Sequence, residues 1–186
     1  DMRRTMAFPP GWGENQGVWL HMSYKFFLEL LRHQLYDEFF AEATSGGLLP
    51  FVDPDRYGRS VTECSSFIAS SAFEDPSKRG QGFLARLSGS TAEFLSMWVL
   101  MFVGPQPFFV DRNDHQLRFQ LVPSLPAWLF ESHAEDDPLD DEDDIENHVF
   151  LQRARQEHPG IPTIRFKLFS SIQVHYYNER HADLFG

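Results

Sequence analysis

Two short segments of this 186-residue chain hold side chains whose types and spacing suit chemistry on an anion or a sugar. The first is Gly13-Glu14-Asn15-Gln16-Gly17-Val18-Trp19-Leu20-His21, which places a carboxylate and an imidazole seven residues apart beside two glycines and a tryptophan. A neutral imidazole is a hydrogen-bond partner, and a protonated one is a counter-charge for phosphate. The second is Arg86-Leu87-Ser88-Gly89-Ser90-Thr91-Ala92-Glu93, a hydroxyl-rich turn that runs into an apolar helical stretch. Such a turn offers backbone N–H groups, two serine hydroxyls and the positive end of a helix dipole. Gly89 removes the side chain that would keep an anion at a distance, so the turn is an anion cradle in composition. Each segment also has a plainer reading: an ordinary helix cap at Ser88–Thr91, and a core histidine at a helix start for His21.

Other residues extend the set. Arg59 and Arg86 can pair with phosphate or serve as structural ion-pair partners. Glu63 can reach a cleft or stay solvated. Trp12 and Trp19 can stack on a sugar ring or pack in the core. Cys64, the single cysteine, has no neighbouring base to activate it, excludes an intrachain disulfide and favours the cytoplasm. His115, His133, His148 and His158 lack metal-ligand spacing, so no metal is expected. No nucleotide-binding glycine pattern follows a strand.

The elements that must position these residues follow from hydrophobic period and turn residues. Pro9, Pro10, Gly11 and Gly13 make residues 1–16 a loop. Phe26, Phe27, Leu30, Leu31, Leu35, Phe39 and Phe40 recur at helical spacing, which predicts a helix over 17–43 ended by Gly46-Gly47 as a left-handed cap. Residues 51–58 read as turns, 66–72 as a short apolar segment of open type, and 75–82 as a loop. A helix is predicted over 92–103, capped by Ser90 or Thr91, with Glu93 in the first turn where the dipole favours an acid. After Gly104-Pro105 the pattern becomes strand-like at 108–111, 117–122, 163–169 and 171–177. Alternation at 117–121 and 164–168 predicts sheets with one wet face. Helices followed by antiparallel strands give an α+β chain in two units, residues 1–104 and 105–186.

Charge narrows the partners. Net charge is −11, and nine of the 27 acids fall in Glu135–Glu146 without a base. The remaining 18 acids nearly balance the 16 Lys and Arg, so there is no basic surface for nucleic acid. The acidic run reads as a solvated loop within an insertion at about 131–160, where 147–156 can form a short helix. It does not fit the helix-loop-helix calcium pattern. No segment is long and apolar enough to span a membrane, and no apolar core of a signal peptide follows the N-terminus.

Taken together and in order, the two segments resemble the cellobiose-phosphorylase family of inverting glycoside phosphorylases (glycoside hydrolase family 94) and its β-glucan phosphorylase relatives. The family's Glu-Asn-Gly-x-x-x-x-His segment is matched by Glu14-Asn15 and His21. Gln16 stands at the usual Gly, and Gly17 follows one place later. The family's Thr-Gly-Thr phosphate loop is matched by Ser88-Gly89-Ser90. Leu121-Val-Pro-Ser-Leu-Pro-Ala-Trp resembles the Pro-x-x-Pro segment before the last strands.

The resemblance implies the last helices of an (α/α)6 barrel in 1–104, then a small β domain in 105–186. It implies that His21, Ser88, Gly89 and Ser90 hold phosphate and that Glu14 hydrogen-bonds sugar hydroxyls. The expected reaction is phosphorolysis of β-linked glucosides or β-glucan oligosaccharides to glucose 1-phosphate with inversion. Phosphate is the co-substrate, no cofactor is needed, and a homodimer is compatible. Phosphate is already an anionic nucleophile and needs alignment and charge compensation instead of a general base. The family's general acid is an Asp upstream of the Glu-Asn segment, so the chain alone is expected to be inactive. Two alternatives stay open: an inverting β-glucan hydrolase on the same barrel, with Glu63 as the suspect base, and a non-catalytic carbohydrate-binding fragment.

Overall fold

The computed structural model describes residues 5–48, 53–59, 65–85, 90–130 and 160–185. The chain is α+β and divides into two compact units, Asp1–Ser124 with Gly186, and Leu125–Phe185. The change of character at Gly104-Pro105 marks the end of a helix within the first unit.

The helical pattern of residues 17–43 resolves into three elements instead of one. A two-residue strand, β1 (Val18–Trp19), leads directly into α1 (Leu20–Arg32), and α2 (Tyr36–Glu42) follows. The interruption is local. Gln34 adopts φ 60°, and the amides of Gln34 and Leu35 turn back to the carbonyls of Leu31 and Leu30. Re-aiming α2 lets both Phe39 and Phe40 be buried, whereas Leu35 and Phe26 of the same periodic pattern are exposed. Gly46 and Gly47 do not form a left-handed cap; they lie in a π-helical turn, Ala43–Gly47. The buried face of α1 is Leu20, Tyr24, Phe27, Leu28, Leu30 and Leu31, each worth about 1.5–3 kcal/mol on burial.

Residues 53–59 and 65–85 form the next elements, and β2 among them contacts α1. Asp53 caps a one-turn helix, α3 (Pro54–Tyr57), by accepting from the Arg56 amide at 3.1 Å. Gly58 ends that helix at φ 71°. The short apolar segment is a fully buried central strand, β2 (Ser65–Ile68), flanked antiparallel by β1 and by β3 (Gly82–Ala85). Trp19 pairs with Phe67, and Phe67 with Phe83. Tyr57 locks α3 to this sheet: its hydroxyl donates to Ser65 Oγ at 2.7 Å and accepts from the Ser65 amide at 3.1 Å.

The predicted helix at 92–103 is present as α4 (Ser90–Phe102), which packs on α1. It is apolar nearly all round, yet Leu95, Trp98 and Val99 are exposed. A hairpin follows, β4 (Phe108–Val110) with β5 (Leu117–Phe119). The expected wet and dry faces are not seen in it, because all of β5 is exposed. A two-stranded ribbon has no second layer to bury a face against; its main apolar contact is Phe108 on Phe119 at 5.0 Å.

A two-residue strand, β6 (Ser124–Leu125), follows in the chain. The second unit centres on a hairpin of β7 (Thr163–Leu168) and β8 (Ile172–Tyr177). Phe169 and Ser170 turn it with φ 52° and 58°. Burial against its neighbours pushes the Tyr176 phenol up to about 12. The expected turn at Asn178 is present: its side chain bonds both the amide and the carbonyl of Ala182. Asp183 then accepts from the Ala127 amide at 2.7 Å, and β9 (Leu184–Phe185) ends the unit. The acidic run and the 147–156 segment lie outside the described residues. No helix among the described residues is long and apolar enough to cross a membrane.

Tyr57→Phe should lower stability by about 1–3 kcal/mol, because it strips the fully buried Ser65 of its partner. Denaturant unfolding at unchanged slope is the measurement. A loss below about 0.3 kcal/mol would mean the Tyr57–Ser65 pair does not hold α3.

Candidate functional site

The Glu14 segment is a tight loop whose shape is set by its glycines. Trp12 and Asn15 pair backbone to backbone, and the Gly11 amide also reaches the Asn15 carbonyl at 2.8 Å. A Cβ on Gly17 would lie 2.6 Å from the Gly13 carbonyl oxygen, so only glycine fits there. Gln16 adopts φ 67°, a left-handed conformation that glycine takes without penalty. Glu14 is half-buried in this loop.

Trp19 ties the loop to the imidazole. Its Nε1 donates to the Gly13 carbonyl at 2.8 Å, and its ring meets His21 edge-on at 5.8 Å. His21 is half-buried in the first turn of α1. Trp19 occupies the cap position of that helix and has no side-chain acceptor to satisfy the first amides. The start of α1 therefore keeps N–H groups and dipole for another partner.

Two contacts fix α1 against α4 near both helix starts. Tyr24 and Phe94 rings lie 6.5 Å apart, and Lys25 Nζ is 3.8 Å from Glu93 Oε1. These residues are the fifth and sixth of α1 and the fifth and fourth of α4. His21 and Ser90 thus each stand about one helical turn from the crossing. Lys25 shares the face of His21, four residues on. Glu93 Oε2 is buried and has no hydrogen-bond partner among the described residues.

The other expected residues divide. Trp12 is half-buried and packs on Phe67, Phe73 and Phe83 at 4.2–5.3 Å. Arg59 Nε donates to the Gly82 carbonyl at 2.7 Å, a structural tie to β3. Ser88, Gly89, Arg86 and Glu63 lie outside the described residues, and Ser90 is described only as the start of α4. The sequence reading missed Lys25 and the inward placement of Glu93. The i,i+4 spacing from His21 to Lys25 was the available signal. Among the described residues no group of His, Cys, Asp and Glu is placed to hold a metal ion. Comparison with protein-family models, with curated proteins and with solved structures finds no match.

The loop geometry predicts opposite signs at adjacent positions. Gln16→Gly should stabilise by about 0.5–1 kcal/mol by relieving the left-handed residue. Gly17→Ala should destabilise by about 1–3 kcal/mol through overpacking. Thermal unfolding of the two variants checks this, and equal effects of one sign would refute the loop conformation.

Proposed function

We propose that this chain supplies the phosphate side of an inverting phosphorylase acting on β-linked glucosides or β-glucan oligosaccharides. In this reading phosphate lies between the starts of α1 and α4. His21, the Ser88-Gly89-Ser90 turn and the first amides of the helices hold it, and Lys25 adds positive charge. The observation that carries the proposal is the contact of α1 with α4 at Tyr24–Phe94 and Lys25–Glu93, which lies about one helical turn from His21 on α1 and from Ser90 on α4. A phosphate nucleophile needs such a donor set to lie beneath the anomeric carbon. Glu14, held by its glycine loop and linked to His21 through Trp19, accepts from sugar hydroxyls.

Two further features support the family resemblance. Gln16, at the place of the family's glycine, has the left-handed backbone that a glycine there would serve. The exposed Leu95, Trp98 and Val99 of an otherwise apolar α4 are what further helices of an (α/α)6 barrel would cover. The general acid belongs to that barrel, upstream of Glu14. A cytoplasmic protein whose partners are oligosaccharide and inorganic phosphate is part of the same proposal.

Calorimetric titration with inorganic phosphate should show binding that His21→Ala weakens by about 10-fold or more. In the full-length polypeptide, cleavage of a β-glucan oligosaccharide should require phosphate and yield α-glucose 1-phosphate. Sugar release at the same rate without phosphate would remove the proposal.

One observation favours the hydrolase as a second reading. The unpartnered, buried Oε2 of Glu93 lies on the same crossing, where a water-activating carboxylate would be needed. Glu93→Gln separates the two readings. A phosphorylase should keep its phosphate-dependent rate within about threefold, whereas a hydrolase should lose at least about 100-fold.

A further inference from the structure

We infer that a second site, a cleft on another face of α1, binds a phosphomonoester with an apolar body. The cleft has a volume of about 520 Å³ and is bounded by α1, the end of α2 with its π-helical turn, α3, and the turn that follows β2. Arg56 and Arg79 supply its charge, Met22 and Phe26 its apolar wall, and Ser70 and Ser71 its hydroxyls. His21 is not part of its lining.

Both guanidiniums are held in place by the backbone. Arg56 Nε donates to the Arg79 carbonyl at 3.3 Å, and Arg79 Nε donates to the Phe73 carbonyl at 2.7 Å. The Arg56 side chain lies across Gly80, where a Cβ would come within 2.7 Å of Nε. Gly80 has φ 88°, so a side chain there is doubly unfavourable and the Arg56 path is kept clear. With each Nε committed to a carbonyl, the terminal nitrogens remain as donor forks. Among the described residues no carboxylate lies within ion-pairing distance of either arginine. An anion in the cleft would meet positive charge from both guanidiniums.

The donor count selects phosphate. One carboxylate satisfies a single guanidinium fork, whereas three terminal phosphate oxygens can take two forks and a hydroxyl. Ser70 Oγ accepts from the Ala72 amide at 3.3 Å, which leaves its proton to donate. The volume selects a body beyond the phosphate, since it falls within the range of small-molecule sites. Met22 and Phe26, spaced i,i+4 and exposed at 64% and 56%, offer that body an apolar face. Glu42, also in the lining, can accept from a hydroxyl on it.

Calorimetric titration of the chain with phenyl phosphate, inorganic phosphate and benzoate tests the inference. Phenyl phosphate should bind at least about 10-fold more tightly than either of the others. Arg56→Gln should weaken it by about 10- to 100-fold. Met22→Glu, which leaves both arginines intact and adds a carboxylate to the wall, should weaken it comparably. His21→Ala should leave it unchanged. The inference fails if benzoate binds as tightly, if Arg56→Gln and Met22→Glu both bind like the parent at equal thermal stability, or if no binding occurs up to about 10 mM. Loss of binding in His21→Ala would also overturn it, by placing the ligand at the helix starts.

Discussion

The packing of α1 on α4 is the constraint from which the rest of the first unit follows. Tyr24 is buried against Phe94, and Lys25 reaches the inward-turned Glu93. Neither contact is strong alone, because Lys25 is largely exposed and its ion pair is screened. Their position matters more than their energy. Both fall on the second turn of each helix, so they set how close the helix starts come. If α1 slid by one residue along its axis, every side chain on its faces would turn by about 100°. Leu20, Tyr24, Phe27, Leu28 and Leu31 would then leave the core together. Burial of that stripe holds the register at which His21 and Lys25 share one face and Met22 and Phe26 share another.

Much of the arrangement was legible in the residues. The apolar period placed α1 and α4 to within a few positions, and the late strands appeared where alternation and turn residues put them. The tie between the Glu14 loop and His21 was implicit in Gly13, Gly17 and Trp19, although no spacing rule states that an indole nitrogen bridges them. What could not be read was set by tertiary context. Gln34 is an ordinary helix former that takes a left-handed conformation because Phe39 and Phe40 are buried on a redirected axis. Gly82–Ala85 is a strand because β2 is buried and needs hydrogen-bond partners on both edges, a non-local demand.

The aromatic residues show how far type alone can mislead. Trp12 and Trp19 looked equivalent as sugar platforms. Trp12 packs, half-buried, on three phenylalanines, while Trp19 uses its indole nitrogen to fasten a loop and meets His21 edge-on. Arg59 and Arg56 show the same divergence three residues apart. Arg59 anchors β3, and Arg56, laid over Gly80, reaches a cleft. Both donate Nε to a backbone carbonyl, and which of them lines the cleft was decided by α3, a one-turn helix whose cap and buried tyrosine no period could reveal.

One helix therefore serves two surfaces of different chemistry. Lys25, on the face of His21, reaches α4, and residues 22 and 26 line the cleft, a rotation of about 100° about the axis of α1. An anion at either place acts on the same rigid element. The cleft arginines are carried by α3 and by the turn after it, and Tyr57 fastens α3 to β2. Strand β2 is in turn paired with β1, whose Trp19 is the residue against His21. A path thus runs from Arg56 to His21: along the chain to Tyr57, by hydrogen bond to Ser65, along β2 to Phe67, and by strand pair and ring contact through Trp19. Such a path gives rigidity, since each step is over-determined by burial. It offers no second packing arrangement for a switch to use. The two surfaces share a scaffold, and the physical expectation is that they bind independently.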